Sequence, residues 1–160
     1  MKTKHPNKIV IFDIDGTLAD IEHRRGYVRG PRSDQNWGAF NKTMHLDGVN
    51  EIVVDTYNAL SATGKYHMVI FTGRGDDFKQ VTVDWLADND IAYDELHMRS
   101  DVHEKGVKDS IVKKGMLDRL TEAHPDKTVS GVFDDRLQVV EMWQENGIFV
   151  FDVGQGEGDF

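Results

Sequence analysis

Ile9-Val10-Ile11-Phe12-Asp13-Ile14-Asp15-Gly16-Thr17-Leu18 is the stretch that decides how this chain folds. Ile9 to Phe12 are β-branched or aromatic with no polar alternation, which predicts a strand over residues 8–12 buried on both faces. Gly16 has the backbone freedom needed for an immediate turn. Asp13 and Asp15 therefore stand at the carboxyl end of a buried strand. If the strand geometry persists, residues two apart share a face, so the two carboxylates point the same way and repel unless a cation lies between them. Mg2+ is the expected ion, being hard, oxygen-seeking and usually shared with a substrate phosphate.

Working outward, strand-like and helix-like segments alternate. Residues 49–62 carry Val49, Ile52, Val53, Tyr57 and Leu60 at helical spacing and stop at Gly64, and residues 66–71 read as a second strand. A helix over 77–88 places Phe78, Val81 and Trp85 on one face. A short third strand follows at 96–98, then a helix over 107–122, a fourth strand over 129–133, a helix over 136–146 closed by Gly147, and a fifth strand over 148–153. This alternation predicts an α/β fold, a doubly wound, parallel five-stranded sheet with helices on both faces, in one domain spanning residues 1–160. Only about fifty residues separate the first two strands, and part of that is helix, so a small flap at 19–48 fits there and a large cap does not.

In open parallel sheets the ligand crevice lies outside the carboxyl ends of the strands. Asp13 follows the first strand, Thr72-Gly73-Arg74 the second and Asp134-Asp135 the fourth, so four carboxylates, a hydroxyl and a guanidinium converge on one edge. Gly73 lets backbone N–H groups approach an anion closely. Singly, each has an ordinary alternative: Asp-Gly is a common turn, Thr-Gly-Arg a plain loop, and Asp134 a helix cap. Their joint placement is what points to a site. Asp109 and Lys113 are four apart, the spacing of a solvated helical ion pair. Yet that stripe continues to Met116 and Leu120, and a lysine above a buried stripe needs a permanent anionic partner, which Asp109 and a substrate phosphate supply. Lys114 points about 100° away from it.

Composition narrows the classes. With 19 basic and 28 acidic side chains the formal net charge is -9, which argues against coating nucleic acid or an anionic membrane by bulk electrostatics. The absence of cysteine excludes disulfides and thiolate zinc sites. His5, His23, His45, His67, His97, His103 and His124 show no short metal-ligand spacing and read as surface or loop residues. The basic start, Met1 to Lys8, is followed by an apolar run only a strand long, and no stretch reaches membrane-spanning length. A soluble, cytoplasmic protein is expected.

Asp13-x-Asp15-Gly16-Thr17, Thr72, Lys113 and Asp134-Asp135, in this order, resemble the four motifs of the haloacid dehalogenase phosphohydrolase superfamily. Thr72-Gly73-Arg74, Asp109-x-x-x-Lys113, the run from Phe133 to Trp143 and the final Gly158-Asp159-Phe160 further resemble the phosphatase half of bacteriophage polynucleotide kinase-phosphatase, most weakly over residues 25–65. The resemblance implies Asp13 as nucleophile, giving an aspartyl-phosphate, and Asp15 as general acid and base. It implies Mg2+ held by Asp13, the backbone carbonyl of Asp15 and an aspartate of the Asp134/Asp135 pair. Thr72, Gly73, Arg74 and Lys113, with Asp109 beside the lysine, would surround the phosphate, and Arg24 would orient the substrate. No Gly-x-x-x-x-Gly-Lys-[Ser/Thr] stretch occurs, so a phosphatase without the kinase half is expected. Gly154, Gly156 and Gly158 do not open a helix and so make no dinucleotide loop.

The flap carries His23-Arg24-Arg25-Gly26-Tyr27-Val28-Arg29-Gly30-Pro31-Arg32, four arginines without an acid in an otherwise acidic chain. Such a cluster can track a nucleic-acid strand, with Tyr27 or Trp37 stacking on a base, or it can be a solvated basic loop. Three functions stay open: a Mg2+-dependent 3′-phosphatase on nucleic-acid ends, a phosphatase of free 3′- or 5′-mononucleotides, and a phospho-accepting signalling domain. Asp15 disfavours the last, since such a domain has no need of a general acid. DNA or RNA, 3′ or 5′ preference, and monomer or homo-oligomer are not readable from the sequence.

Overall fold

The structure, a computed structural model, describes residues 6–155. Strand β1 (Lys8–Phe12) is followed by β2 (Ala19–Asp20), α1 (Glu22–Arg25), α2 (Trp37–Lys42), β3 (Gly48–Val49), α3 (Glu51–Ala62) and β4 (Tyr66–Gly75). Then come α4 (Lys79–Asp88), β5 (Glu95–Arg99), α5 (Asp109–Ala123), β6 (Thr128–Asp134), α6 (Leu137–Glu145) and β7 (Val150–Asp152). The five-stranded sheet has the order β5-β4-β1-β6-β7, with all its pairings parallel. The expected doubly wound α/β fold is thus the observed one. The end-of-chain Gly158-Asp159-Phe160, Gly156 and the basic residues 1–5 lie outside the described residues.

β1 is central and is buried on both faces, as its unbroken apolar run requires. Val10 and Phe12 pack with Met68, Ile70, Tyr57, Trp85 and Leu86 under α3 and α4. Ile9 and Ile11 pack with Val69, Phe71, Val112, Met116 and Trp143 under α5 and α6. The Phe12 ring stacks on Phe133 at 4.2 Å and meets the edge of Tyr57 at 4.9 Å, while the Tyr57 hydroxyl donates to the Ala92 carbonyl. α6 ends in a paired closure: Gly147 N donates to Gln144 O and Ile148 N to Trp143 O, with Gly147 at φ 70. A left-handed residue there is what lets the helix stop and feed β7.

Three details differ from the sequence pattern. Val49 pairs in the ribbon β2–β3, the helix starts only at Glu51, and Ile52 is 75% exposed, so the buried face of α3 is Val54 and Tyr57. On α4 the buried residues are Thr82, Trp85 and Leu86 rather than Phe78 and Val81. β4 runs on through Thr72-Gly73-Arg74 to Gly75, with a bulge against β5 between Thr72 and Gly75. The flap is anchored: Ile21, Val28 and Phe40 belong to the same core as β1, and the ribbon pairs Ala19 with Val49 and Asp20 with Gly48. No helix among the described residues is long and apolar enough to cross a membrane.

Candidate active site

The carboxyl ends of β1, β4 and β6 bring two charge clusters side by side. Asp13 N donates to Phe133 O at 3.0 Å, extending the β1–β6 pairing one residue and fixing Asp13 over the sheet edge. The chain then turns: Thr17 N and Ala19 N both donate to Ile14 O, and Gly16 sits at φ 83. A Cβ at Gly16 would collide with the Asp135 carboxylate, so glycine is required both for the turn and for the approach of Asp135. Thr17 Oγ1 donates to Asp13 Oδ2 at 3.0 Å.

The first cluster centres on Lys113, which is 1% exposed. Its Nζ donates to Asp13 Oδ1 and to Asp134 Oδ2, each at 2.9 Å, and lies 3.6 Å from Asp109 Oδ2. Trp143 Nε1 also donates to Asp134 Oδ2, at 3.4 Å. Asp13, Asp134 and Asp135 are all buried and each offers an oxygen within 4.8 Å of the others. Burial pushes the Asp13 carboxyl well above the usual range; Lys113 works against this, and Asp134 and Asp135 add to it. Asp135 is raised to about 7 by burial and then by Asp134. Burial alone would lower the Lys113 pKa, but Asp13, Asp134 and Asp109 together lift it well above the ordinary value. Three buried carboxylates share one ammonium, and their hard oxygens lie within 4.8 Å of one another, a grouping that one small divalent cation can bridge. These donors therefore fit a cation of the Mg2+ kind.

The second cluster corrects the reading of Asp15. Its carboxylate does not turn towards that of Asp13 to share a cation, because the Gly16 turn swings it across to two guanidinium groups. Arg74 Nη2 and Arg24 Nη2 donate to Asp15 Oδ1 at 2.7 and 2.6 Å. Asp47 closes the box, accepting from Arg24 Nη2 at 2.6 Å and Arg74 Nη2 at 3.0 Å through Oδ2, and from Arg24 Nε at 2.7 Å through Oδ1. Burial opposes the ionised form of Asp15, yet Arg74 and Arg24 hold its pKa down at about 2. Arg24 also sits over the Phe40 ring at 4.1 Å. It is fully buried, not part of an open basic loop.

Thr72 is fully buried, and its hydroxyl accepts from Arg74 N at 3.2 Å. A Cβ at Gly73 would lie 2.5 Å from Asp109 Oδ1, so the strand passes close over that carboxylate. Asp109 is occupied by Lys113, Arg99 Nη2 at 3.3 Å and Arg136 Nη1 at 3.7 Å, which makes it a partner that positions cations. Lys114, by contrast, pairs with Asp118 on the exposed side of α5.

Two groups escaped the sequence reading. Asp47 carries no local pattern; only charge accounting, an acid needed somewhere for a buried Arg24, could have found it. Histidines read as surface or loop are not all so: His67 and His97 lie partly buried on β4 and β5 and His124 caps the end of α5, while His23 is exposed as expected but reaches Asp47 at 2.7 Å.

Residues 7–160 match the model of the polynucleotide kinase PNKP phosphatase domain. The chain belongs to that family. Two solved structures of the Pnkp1/Rnl/Hen1 RNA repair complex contain a chain 29% identical to this one, with a TM-score of 0.73. The matches cover 96% and 98% of this chain but 43% and 47% of those, so the PNKP phosphatase-type chain spans less than half the length of these relatives. A haloacid dehalogenase-like hydrolase from Streptococcus pneumoniae shares the fold, with a TM-score of 0.63 at 15% identity over 95% of this chain and 85% of that one. This chain is thus a phosphatase domain of the haloacid dehalogenase type, which sets the signalling-domain alternative aside.

Proposed function

We propose that this chain is a Mg2+-dependent polynucleotide 3′-phosphatase that works through an aspartyl-phosphate on Asp13. The observation that carries the reading is the buried contact of Lys113 with both Asp13 and Asp134, beside Asp135 and one turn away from the separately held Asp15. Asp13, Asp134 and Asp135, with the backbone carbonyl of Asp15, would hold the ion, which when bound offsets the charge of a phosphate brought against carboxylates.

In the first step an oxygen of Asp13 attacks phosphorus, the bond from phosphorus to the 3′-oxygen breaks, and that oxygen takes a proton. In the second, water attacks the same phosphorus, losing a proton and freeing the Asp13 carboxylate. Lys113 and Thr17 orient the two oxygens of Asp13, while Thr72 and Lys113 meet the equatorial oxygens where charge accumulates. Asp15 handles both protons. In the resting box it is ionised, fit to take a proton from water. When Arg24 and Arg74 turn towards an incoming phosphate, their hold on Asp15 weakens, its pKa rises and it binds a proton from solvent; it gives that proton to the leaving oxygen and, ionised again, takes one from the attacking water.

The flap supports a strand-like substrate: Tyr27 and Trp37 are each 43% exposed, as bases that stack on rings require. Matched chains from an RNA repair complex agree with an end-healing role. A second reading, hydrolysis of free nucleotides, is favoured by the net charge of -9 and by the pairing of Arg25 and Arg29 with Glu22, which reduces the basic character of the flap. The deciding experiment compares 3′-phosphorylated oligonucleotides with 3′- and 5′-mononucleotides, with and without chelator. Preference for the oligonucleotide with loss of activity in chelator is expected; equal rates on all substrates, or undiminished rates in chelator, would overturn the corresponding half.

A further inference from the structure

We propose that His67, Glu95 and His124, with His97 beside them, form a second metal site for a borderline divalent transition ion such as Zn2+, at the sheet edge opposite the phosphatase centre. His67 is the second residue of β4 and Glu95 the first of β5, whereas the phosphatase residues follow the other ends of the strands. Val69 pairs with Glu95 and Phe71 with His97, so His67, Glu95 and His97 share the face on which α5 lies. α5 runs from the phosphatase edge to this one: Lys113 stands near its start and His124 is its C-cap, about 16 Å further along the axis.

The geometry converges on one point. His67 Nε2 and His124 Nε2 lie 2.5 and 2.8 Å from the same oxygen, Glu95 Oε2, and His97 Nε2 lies 3.1 Å from Oε1. One ligand atom from each of His67, Glu95 and His124 falls within 4.8 Å of the other two. Two imidazole nitrogens and a carboxylate oxygen make a donor set suited to Zn2+, Co2+ or Ni2+ and poorly suited to Mg2+. His67 Nδ1 lies on the far side of the ring, 3.7 Å from Asp94 Oδ2, so Nε2 is the nitrogen turned towards the cluster. The three side chains are 18%, 26% and 24% exposed, which lets an ion enter from solvent and leaves room for a water or for His97 as fourth ligand. An ion here would tie β4, β5 and the end of α5 together without touching the phosphatase centre.

Co2+ and Zn2+ titrations of the Asp13→Asn protein in excess Mg2+ isolate this site. One equivalent of Co2+ should give the intense visible bands of a four- or five-coordinate nitrogen-containing site, and Zn2+ should displace it and raise Tm. His67→Ala and His124→Ala should each weaken binding at least tenfold, and phosphatase activity of the otherwise native variants in Mg2+ should stay within twofold. In the protein with all histidines intact, Zn2+ should shift the imidazole resonances of His67 and His124, a readout that holds even if a variant folds poorly. Absence of Co2+ bands and of those resonance shifts, or binding unchanged in both variants, would overturn the site and leave a carboxylate hydrogen-bonded by imidazoles.

Discussion

Lys113 Nζ donates to Asp13 Oδ1 at 2.9 Å across 100 residues of chain. The same ammonium meets Asp134, so it is the cation that makes two neighbouring buried carboxylates tolerable. Lys113→Ala is expected to lower kcat/KM by about 100-fold or more, on the scale of losing a transition-state charge contact, and Lys114→Ala to change it less than twofold. Steady-state kinetics, with circular dichroism to check folding, decide this; equal effects would place the wrong lysine at the site. Asp13→Asn should abolish turnover while leaving thermal unfolding two-state, and a variant retaining near-native rates would remove the covalent step.

The acids around Lys113 make stability pH-dependent in an unusual direction. Asp135 rises from 3.8 to about 7 on folding and Asp13 is raised too, so the folded protein binds more protons than the unfolded one between those values. Stability in chelator should therefore fall as pH rises from about 4 to about 7. Asp135→Asn should flatten that slope, and Mg2+ should restore stability at pH 7 by binding the ionised carboxylates. Urea midpoints across this range in chelator and in Mg2+ provide the check; a midpoint that rises with pH in chelator would contradict the burial of these acids.

Much of this arrangement was legible because it is local. A β-branched run predicts β1, and residues at a strand end or on a helical stripe follow from it, which is how Asp13, Thr72, Asp134 and the choice of Lys113 over Lys114 could be read. What depends on pairing across the chain was not. The Gly16 turn, at φ 83, sends the Asp15 side chain away from Asp13, and Asp47 meets Arg24 through the flap, 23 residues away. Ile52 lies on the apolar spacing, but the β2–β3 ribbon takes Val49 and sets the rotation of α3, leaving Ile52 in solvent. The histidine cluster depends on the β4–β5 register and on where α5 ends.

Asp47 is predicted to be a positioning residue. It accepts from Arg24 and Arg74, both essentially buried, and without it Asp15 alone must compensate two guanidinium groups. Asp47→Ala should cost about 3–5 kcal/mol, as removal of one partner from a buried ionic network does. The remaining arginines would then grip Asp15 harder, lowering kcat more than KM, with Asp47→Glu partly restoring it. The Asp15 contribution has the opposite pH sign from Asp135: with a folded pKa of about 2 it is present above 3.8 and lost as pH falls towards 2. Denaturation midpoints and kcat against KM for the two variants test the assignment; a stable Asp47→Ala protein with native kcat would refute it.

The flap is predicted to decide the substrate. If its exposed face follows a single strand, longer 3′-phosphorylated oligonucleotides should show higher kcat/KM than a 3′-mononucleotide, and the advantage should shrink as salt rises, with a log–log slope of about 0.7 per phosphate contacted. Arg29 and Arg32, exposed on the flap, should matter only for the longer substrates, each substitution by alanine reducing that slope, whereas Arg25, mostly buried and near enough to Asp135 to lower its pKa, should affect every substrate. Tyr27→Ala and Trp37→Ala should lower oligonucleotide affinity with little change in salt dependence, since stacking releases no counterions. Arg24→Ala, which opens the box around Asp15, should impair every substrate alike. A mononucleotide hydrolysed as well as any oligonucleotide, with no additional salt sensitivity for the longer chain, would transfer the assignment to free nucleotides and leave the chemistry at Asp13 unchanged.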